Sequence, residues 1–227
     1  MTAIVAPAAG ENPADKKKMP LLPKTLAERL HLDEVLEVPA ALDEYFNLLM
    51  DCEYRLDYSD GNIISMGYAS LTHEALVGRI IYLLTDIFGI ESNWHVLGSN
   101  VATLVPDFQA VYNADIVVLK GEPQHRIHQG KAKKVKTLIN PSLIVEVLSP
   151  ATIRYDLGVK LPRYKTLDSV EHILLVNQNQ PGVSLYSRTD RPGQWINMEV
   201  RDLEKGYVTI NRKKLRLADI YRNGLTE

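Results

Sequence analysis

The sequence predicts an α/β sandwich around a mixed central sheet. Three observations carry that expectation. A long, strongly apolar helical stretch lies near residues 71–88, a succession of β-branched apolar runs follows it, and a second helical stretch separates two of those runs.

Taken in order, residues 1–24 are rich in Ala, Pro and Lys without periodicity. They are expected to form a mobile N-terminal tail, with residues 25–227 as a single domain. From about Pro39, Leu42, Tyr45, Phe46 and Leu49 share a face at helical spacing. Glu53–Tyr58 and Ile63–Met66 flank Ser59-Asp60-Gly61-Asn62, and an Asp-Gly pair between β-formers signals a hairpin. Ser70 is placed to cap a helix from Leu71 to Phe88, and Gly89 to end it. Leu76, Ile80, Leu83, Leu84 and Ile87 form its stripe, widened by Val77, Ile81 and Phe88. A helix this apolar should be largely buried, in part against a second subunit.

The strand-like runs are His95–Val105, Asp115–Leu119, Ser142–Leu148, His172–Val176 and Val183–Ser187. A helical stretch, Arg154–Leu167, divides the third from the fourth. From Gln194 onward a weak alternation suggests edge strands, with a short helix at Leu217–Tyr221.

Composition narrows the class. The chain has 227 residues, 45% apolar and 24% charged, which is ordinary for a protein with a real core. Cys52 is the only cysteine, so no internal disulfide forms and a reducing cytoplasm is expected. The short apolar stretch at the start precedes its lysines, the reverse of a secretory signal. No segment is long and apolar enough to span a bilayer, so a soluble protein with no membrane partner is expected. A net charge of −2 argues against a high-affinity grip on a long DNA surface. It leaves room for an enzyme that touches DNA over a short patch, where metal ions supply positive charge.

The most informative residue is Glu146, inside a run otherwise suited to a strand buried on both faces. An unpaired carboxylate there costs several kcal/mol, so a basic partner, a raised pKa or a cation must offset it. Asp115 poses the same problem at the head of Asp115-Ile-Val-Val-Leu119. If both strands enter one sheet, the two carboxylates converge, and converging oxygens suit a hard cation such as magnesium. The plainer alternative is an Asp at a turn and a Glu held by an arginine. On the helix that follows, Asp156, Lys160 and Tyr164 recur at four-residue steps and share a face. Lys160 can lean toward the acids and neutralise charge on a phosphate or orient water; alone, Asp156–Lys160 would be an ordinary surface pair.

Other candidates are weaker. Lys131, Lys133, Lys134 and Lys136 lie between the two acidic runs, where a loop could contact DNA phosphates, although such runs are more often solvated. His125 and His128 lack neighbouring His or Cys, which disfavours zinc. His73 could bond near the site from its helix N-terminus, or serve structure only. No Gly-rich phosphate loop is present.

The stretch Pro141-Ser-Leu-Ile-Val-Glu-Val-Leu-Ser-Pro150, with Arg154-Tyr-Asp-Leu-Gly-Val-Lys160 and Arg163-Tyr164, resembles the Uma-two family of restriction-endonuclease-like proteins. The hairpin Arg55–Gly61 with Ile63–Met66, His73 on the long helix, and Val170–Val176 extend the resemblance over roughly Leu42 to Ser187. It implies the PD-(D/E)XK nuclease fold, a restriction-endonuclease-like α/β/α sandwich with an N-terminal helix and β-hairpin. It also implies that Asp115 and Glu146, with a backbone carbonyl from Val147, hold Mg2+ or Mn2+, that Lys160 is the basic residue, and that Asp57 matches the hairpin acid. The implied reaction is hydrolysis of a DNA phosphodiester. Ala114 stands where the motif has proline, Leu148 where the E-x-K lysine would be, and Pro162 two residues beyond Lys160.

The leading expectation is a magnesium-dependent endonuclease with Asp115, Glu146 and Lys160 as catalytic residues, Asp57, His73, Asp156 and Tyr164 as accessory ones, and a homodimeric assembly. The alternatives are a catalytically weak nuclease-fold module that binds nucleic acid or protein, and a hydrolase of another phosphorylated substrate.

Overall fold

The computed structural model of the chain describes residues 22–32, 35–49, 51–130 and 134–222. The first elements are α1 (Leu26–Leu30), β1 (Leu36–Pro39), α2 (Leu42–Leu48), β2 (Asp57–Ser59) and β3 (Asn62–Ser65). The long helix α3 (Leu71–Phe88) leads to β4 (Trp94–Gly98), β5 (Ala102–Val105), β6 (Ala110–Asn113) and β7 (Ile116–Lys120). Then come β8 (His125–Gln129), β9 (Lys134–Leu138) and β10 (Leu143–Leu148). A helical segment comprises α4 (Ile153–Tyr155), a π-helical turn (Asp156–Lys160) and α5 (Leu161–Tyr164). The chain closes with β11 (His172–Asn177), β12 (Val183–Arg188), β13 (Trp195–Val200), β14 (Tyr207–Ile210), β15 (Lys213–Arg216) and α6 (Leu217–Ile220).

A six-stranded sheet in the order β13-β12-β11-β10-β7-β4 forms the mixed centre of the fold, with β10 and β11 parallel and the other pairs antiparallel. The stripe of α3 (Leu76, Val77, Ile80, Leu84, Ile87) packs on the sheet face carrying Ile116, Val118, Leu143, Val145 and Leu174. Val117, Leu119, Ile144, Ile173 and Leu175 point the opposite way, toward Leu161, Tyr164, Leu167 and Val170. Helices on both faces of a mixed sheet are the architecture expected from the sequence. Apolar runs without alternation are what a sheet covered on both sides requires.

A second, seven-stranded sheet in the order β1-β3-β2-β6-β5-β9-β8 lies beside the first. Strand alternation lets β6 serve two cores: Val111 joins Tyr45, Phe46 and Tyr58 around α2, while Ala110 and Tyr112 join the core around Ile144. The hairpin β2–β3 turns at Asp60 and Gly61, both with positive φ, as the tight type I′ geometry demands.

Several expectations are corrected. Leu22 is buried against the α2 core and the Lys24 carbonyl accepts the Glu53 N–H, so packing begins before the predicted tail boundary at 24. The run His95–Val105 is two strands in different sheets, broken at the polar Ser99-Asn100. Lys134 and Lys136 lie in β9, paired with β8, rather than in a loop. Exposed side chains near a sheet edge leave little apolar signal even though the backbone is paired. Lys131 and Lys133 lie outside the described residues. The stripe of α3 is taken up inside the chain, leaving Leu71 and Tyr82 as its exposed large apolar residues.

Candidate functional site

Register brings the two sequence-distant acids together. β7 and β10 are antiparallel with Ile116 opposite Val145, so the preceding Asp115 and the following Glu146 stand side by side at the sheet's end. The Asp115 N–H lies 3.4 Å from Glu146 Oε2, and the Val147 N–H donates to Asp115 Oδ2 at 2.8 Å. An extended residue carries its N–H and C=O on the same strand edge, so the Val147 carbonyl belongs to this edge too.

The helical segment supplies the cation. Lys160 Nζ lies 3.2 Å from Glu146 Oε1, 3.3 Å from Asp57 Oδ2 and 3.4 Å from Asp156 Oδ1. All four side chains are buried, so Asp156–Lys160 is an interior pair rather than a surface one. Tyr164 donates its hydroxyl to Glu146 Oε1 at 2.7 Å. Pro162 does not misdirect the lysine. The Leu161 N–H reaches back five residues to the Asp156 carbonyl, and this wider turn just before a residue that cannot donate leaves Lys160 facing the acids.

Two further elements complete the arrangement. Asp57 on β2 is oriented by Asn113, whose backbone N–H and side-chain amide both reach Oδ1, at 2.8 and 3.1 Å. His73, in the first turn of α3 below its Ser70 cap, places Nε2 3.2 Å from Asp115 Oδ2. Asp57, Asp115, Glu146, Asp156, Lys160, His73 and Val147 all border one cleft of about 1000 Å³. Tyr164 lies behind its floor, Lys136 is exposed on its border, and Lys134 is exposed away from it.

The sequence reading left Arg163 and Asn113 without roles. Arg163 holds the hairpin to the helical segment through Asp60, Tyr112 (2.8 Å) and Ser59. The signals available for it were its place one turn after Lys160 and its presence in the Arg163-Tyr164 pair of the family resemblance. Asn113 carried none, because its strand is four residues long and its partner lies 56 positions away.

The electrostatics follow from crowding four carboxylates into a dry place. Burial pushes Glu146 up to about 8 from an ordinary 4.5, with Lys160 pulling it down and Asp156 and Asp115 adding to the rise. Burial works against the Lys160 ammonium, but Asp57 and Glu146 hold it well above the usual lysine range. Burial also tends to raise Asp115, yet the His73 hydrogen bond and charge and the Val147 N–H keep it below normal. Burial disfavours charged His73, and Asp115 more than compensates, so its pKa is raised.

Between pH 4.5 and about 8 an unfolded Glu146 has lost its proton while the folded one keeps it, so the stabilisation this gives is lost as pH rises. His73, with a raised pKa, acts in the same direction above 6.5. In metal-free buffer the midpoint of thermal unfolding is therefore expected to fall from pH 5 to pH 8, and Glu146→Gln should flatten most of that slope. A midpoint that rises over this window in the wild type would contradict the assignment.

The donor set fits a hard divalent cation. Among the described residues no three His, Cys, Asp or Glu side chains are grouped as a ready metal cage. Magnesium, however, needs only one or two carboxylates, the remainder coming from backbone, water and substrate oxygens. Glu146 gives Oε1 to Lys160 and Tyr164, which leaves Oε2 with one long contact to the Asp115 N–H.

Comparison with known proteins bears on the family and the fold. Residues 42–211 match the family Uma2, described as "Putative restriction endonuclease". Two uncharacterized Synechocystis proteins are similar: one is 26% identical over 69% of this chain and 85% of its own length, the other 28% identical over 62% and 69%. Among solved structures, "a putative nuclease belonging to DUF820" from Anabaena variabilis superposes with a TM-score of 0.62 at 16% identity, covering 81% of this chain and 98% of that one. At that identity the likeness concerns the fold.

Proposed function

The chain belongs to the Uma2 family of restriction-endonuclease-like proteins, and from that premise we propose that it is a metal-dependent endonuclease hydrolysing DNA phosphodiester bonds at the Asp115–Glu146 site. The observation that carries the reading is the pairing of two acids 31 residues apart at the end of β7 and β10, inside a cleft and backed by a buried lysine.

Asp115, Glu146 and the Val147 carbonyl would hold Mg2+ or Mn2+. When bound, such an ion acidifies water and offsets charge on the phosphoryl oxygens. The protein's own groups do the rest. Lys160 and Tyr164 occupy Glu146 Oε1 and fix the carboxylate's plane, while the charge on Lys160 draws Glu146 toward its ionised form against the effect of burial. The Val147 N–H and His73 fix Asp115 in the same way through Oδ2. Because Lys160 follows Asp156 on the helix rather than Glu146 on the strand, Leu148 at the E-x-K position leaves the basic role filled.

The test is cleavage of supercoiled plasmid and of single-stranded DNA with and without Mg2+ or Mn2+, beside acid-to-amide variants. A catalytically weak binding module becomes the better reading if neither cleavage nor calorimetric metal binding is observed. The homodimer rests on one argument, that cutting both strands of a duplex needs two sites, and a nuclease acting on single strands has no such need. Light scattering at micromolar concentration is expected to give twice the chain mass, and a single-chain mass removes the dimer.

No helix among the described residues is long and apolar enough to cross a membrane.

A further inference from the structure

We propose that the cleft selects single-stranded DNA or a frayed strand end over intact duplex, with α1 as the restricting wall and Tyr68 as a base-stacking platform. The inference rests on the nuclease reading for the chemistry, but it concerns access to the site.

The wall is specific to this part of the chain. The family match begins at residue 42, yet Leu26, Arg29 and Leu30 of α1 line the same cleft as the catalytic acids. This helix is tied down rather than loosely appended. The buried Arg29 donates to Ser65 Oγ at 2.6 Å, to the Ser65 carbonyl at 3.0 Å and to the Leu32 carbonyl at 2.5 Å, fastening α1 to the end of β3. A capping box from Thr25 and Glu28 holds its first turn. The cleft it bounds keeps Asp57 and Glu146 at 4% and 3% exposure. A duplex carries its phosphates on a stiff rod, which cannot bend into such a recess without a deformation cost. A single strand rotates about its backbone and can lay one phosphate on the floor.

Charge favours the same substrate. Gripping a duplex calls for a row of free cations. Here the cleft lining includes six acids, Glu53, Asp57, Glu74, Asp115, Glu146 and Asp156. Among the described residues, the cleft's cations are Lys160 and Arg29, both buried, Arg55, which is half-buried and donates to the Ser99 carbonyl at 3.2 Å, and Lys136 on the border. This balance, six acids against few uncovered cations among the described residues, favours affinity from apolar contact. Tyr68 lines the cleft at 72% exposure, between β3 and α3, and no ring contact or hydrogen bond of its side chain occurs among the described residues. Leu26 and Leu30 on the wall are also exposed. An uncovered aromatic ring beside an apolar wall is what stacks an unpaired base, an interaction unavailable to bases inside a duplex.

The test separates access from chemistry. Binding of a fluorescein-labelled short oligothymidine and of a blunt duplex carrying the same label is followed by anisotropy in calcium buffer, and cleavage of both is followed in magnesium. The single strand is expected to bind at least about tenfold more tightly. Tyr68→Ala should weaken it by about tenfold, within the range of one base–aromatic stack, and Tyr68→Phe should restore it. Arg29→Ala, which releases α1, should narrow the preference. Equal or tighter binding of the duplex, binding of neither probe, or indifference to Tyr68→Ala would overturn the inference, even if cleavage is robust. Single-strand preference without cleavage in magnesium would support the inference and overturn the nuclease reading instead.

Discussion

Replacing Lys160 with alanine is expected to destabilise the fold by about 3–5 kcal/mol, the usual consequence of removing one partner from a buried ionic cluster. The substitution strands Asp57, Glu146 and Asp156, which all lie within 3.4 Å of the ammonium and within a few per cent of complete burial. Each must then stay charged without a partner or take up a proton, and both cost free energy. The urea midpoint of Lys160→Ala against wild type measures this. Carrying Asp57→Asn and Asp156→Asn in the same chain should recover much of the loss, because fewer carboxylates are left unpaired. A loss below about 1 kcal/mol would mean the cluster is solvated, as for an exposed pair. Activity of Lys160→Ala is meaningful only at temperatures where the variant is folded, so stability must be measured before cleavage is scored.

Asp115→Asn and Glu146→Gln are expected to reduce metal-dependent DNA cleavage by at least about a hundredfold each, since losing a cation's charge stabilisation removes several kcal/mol from the transition state. Calorimetric affinity for Mg2+ or Mn2+ should fall in parallel. Neither amide is expected to unfold the protein: each is close in shape to the acid it replaces, and a buried Glu146 that holds its proton up to about pH 8 is already neutral, as glutamine is. If either variant cleaves as fast as wild type, the proposed centre is wrong. A wild type that binds metal but cuts neither plasmid nor single strand would keep the centre and move the substrate to another phosphoester.

Much of this arrangement is legible in the sequence, for particular reasons. Glu146 was conspicuous because a charge inside Leu143–Leu148 breaks an otherwise unbroken apolar run. Helix α3 was bounded correctly at both ends because Ser70 and Gly89 are strong local punctuation. Asp156, Lys160 and Tyr164 announced a shared face by spacing alone. What was not legible has equally physical causes. Strands β8 and β9 are polar on their exposed sides, so their pairing left no hydrophobic period. The division of His95–Val105 between two sheets depends on which neighbours it meets. That Leu22 belongs to the core and that α1 borders the cleft rest on contacts across dozens of residues, such as Arg29 with Ser65.

Local patterning by itself determined the long helix, the central strands, the two acids worth explaining, and the helix that would answer them, because periodicity, caps and misplaced charges are properties of neighbouring residues. Only the tertiary structure decided that Asp115 meets Glu146, that Lys160 is enclosed by three carboxylates, and that α1 closes one side of the cleft. Those facts depend on strand register and on packing between segments far apart in the chain, and a single register step would have turned Glu146 to the opposite face of the sheet.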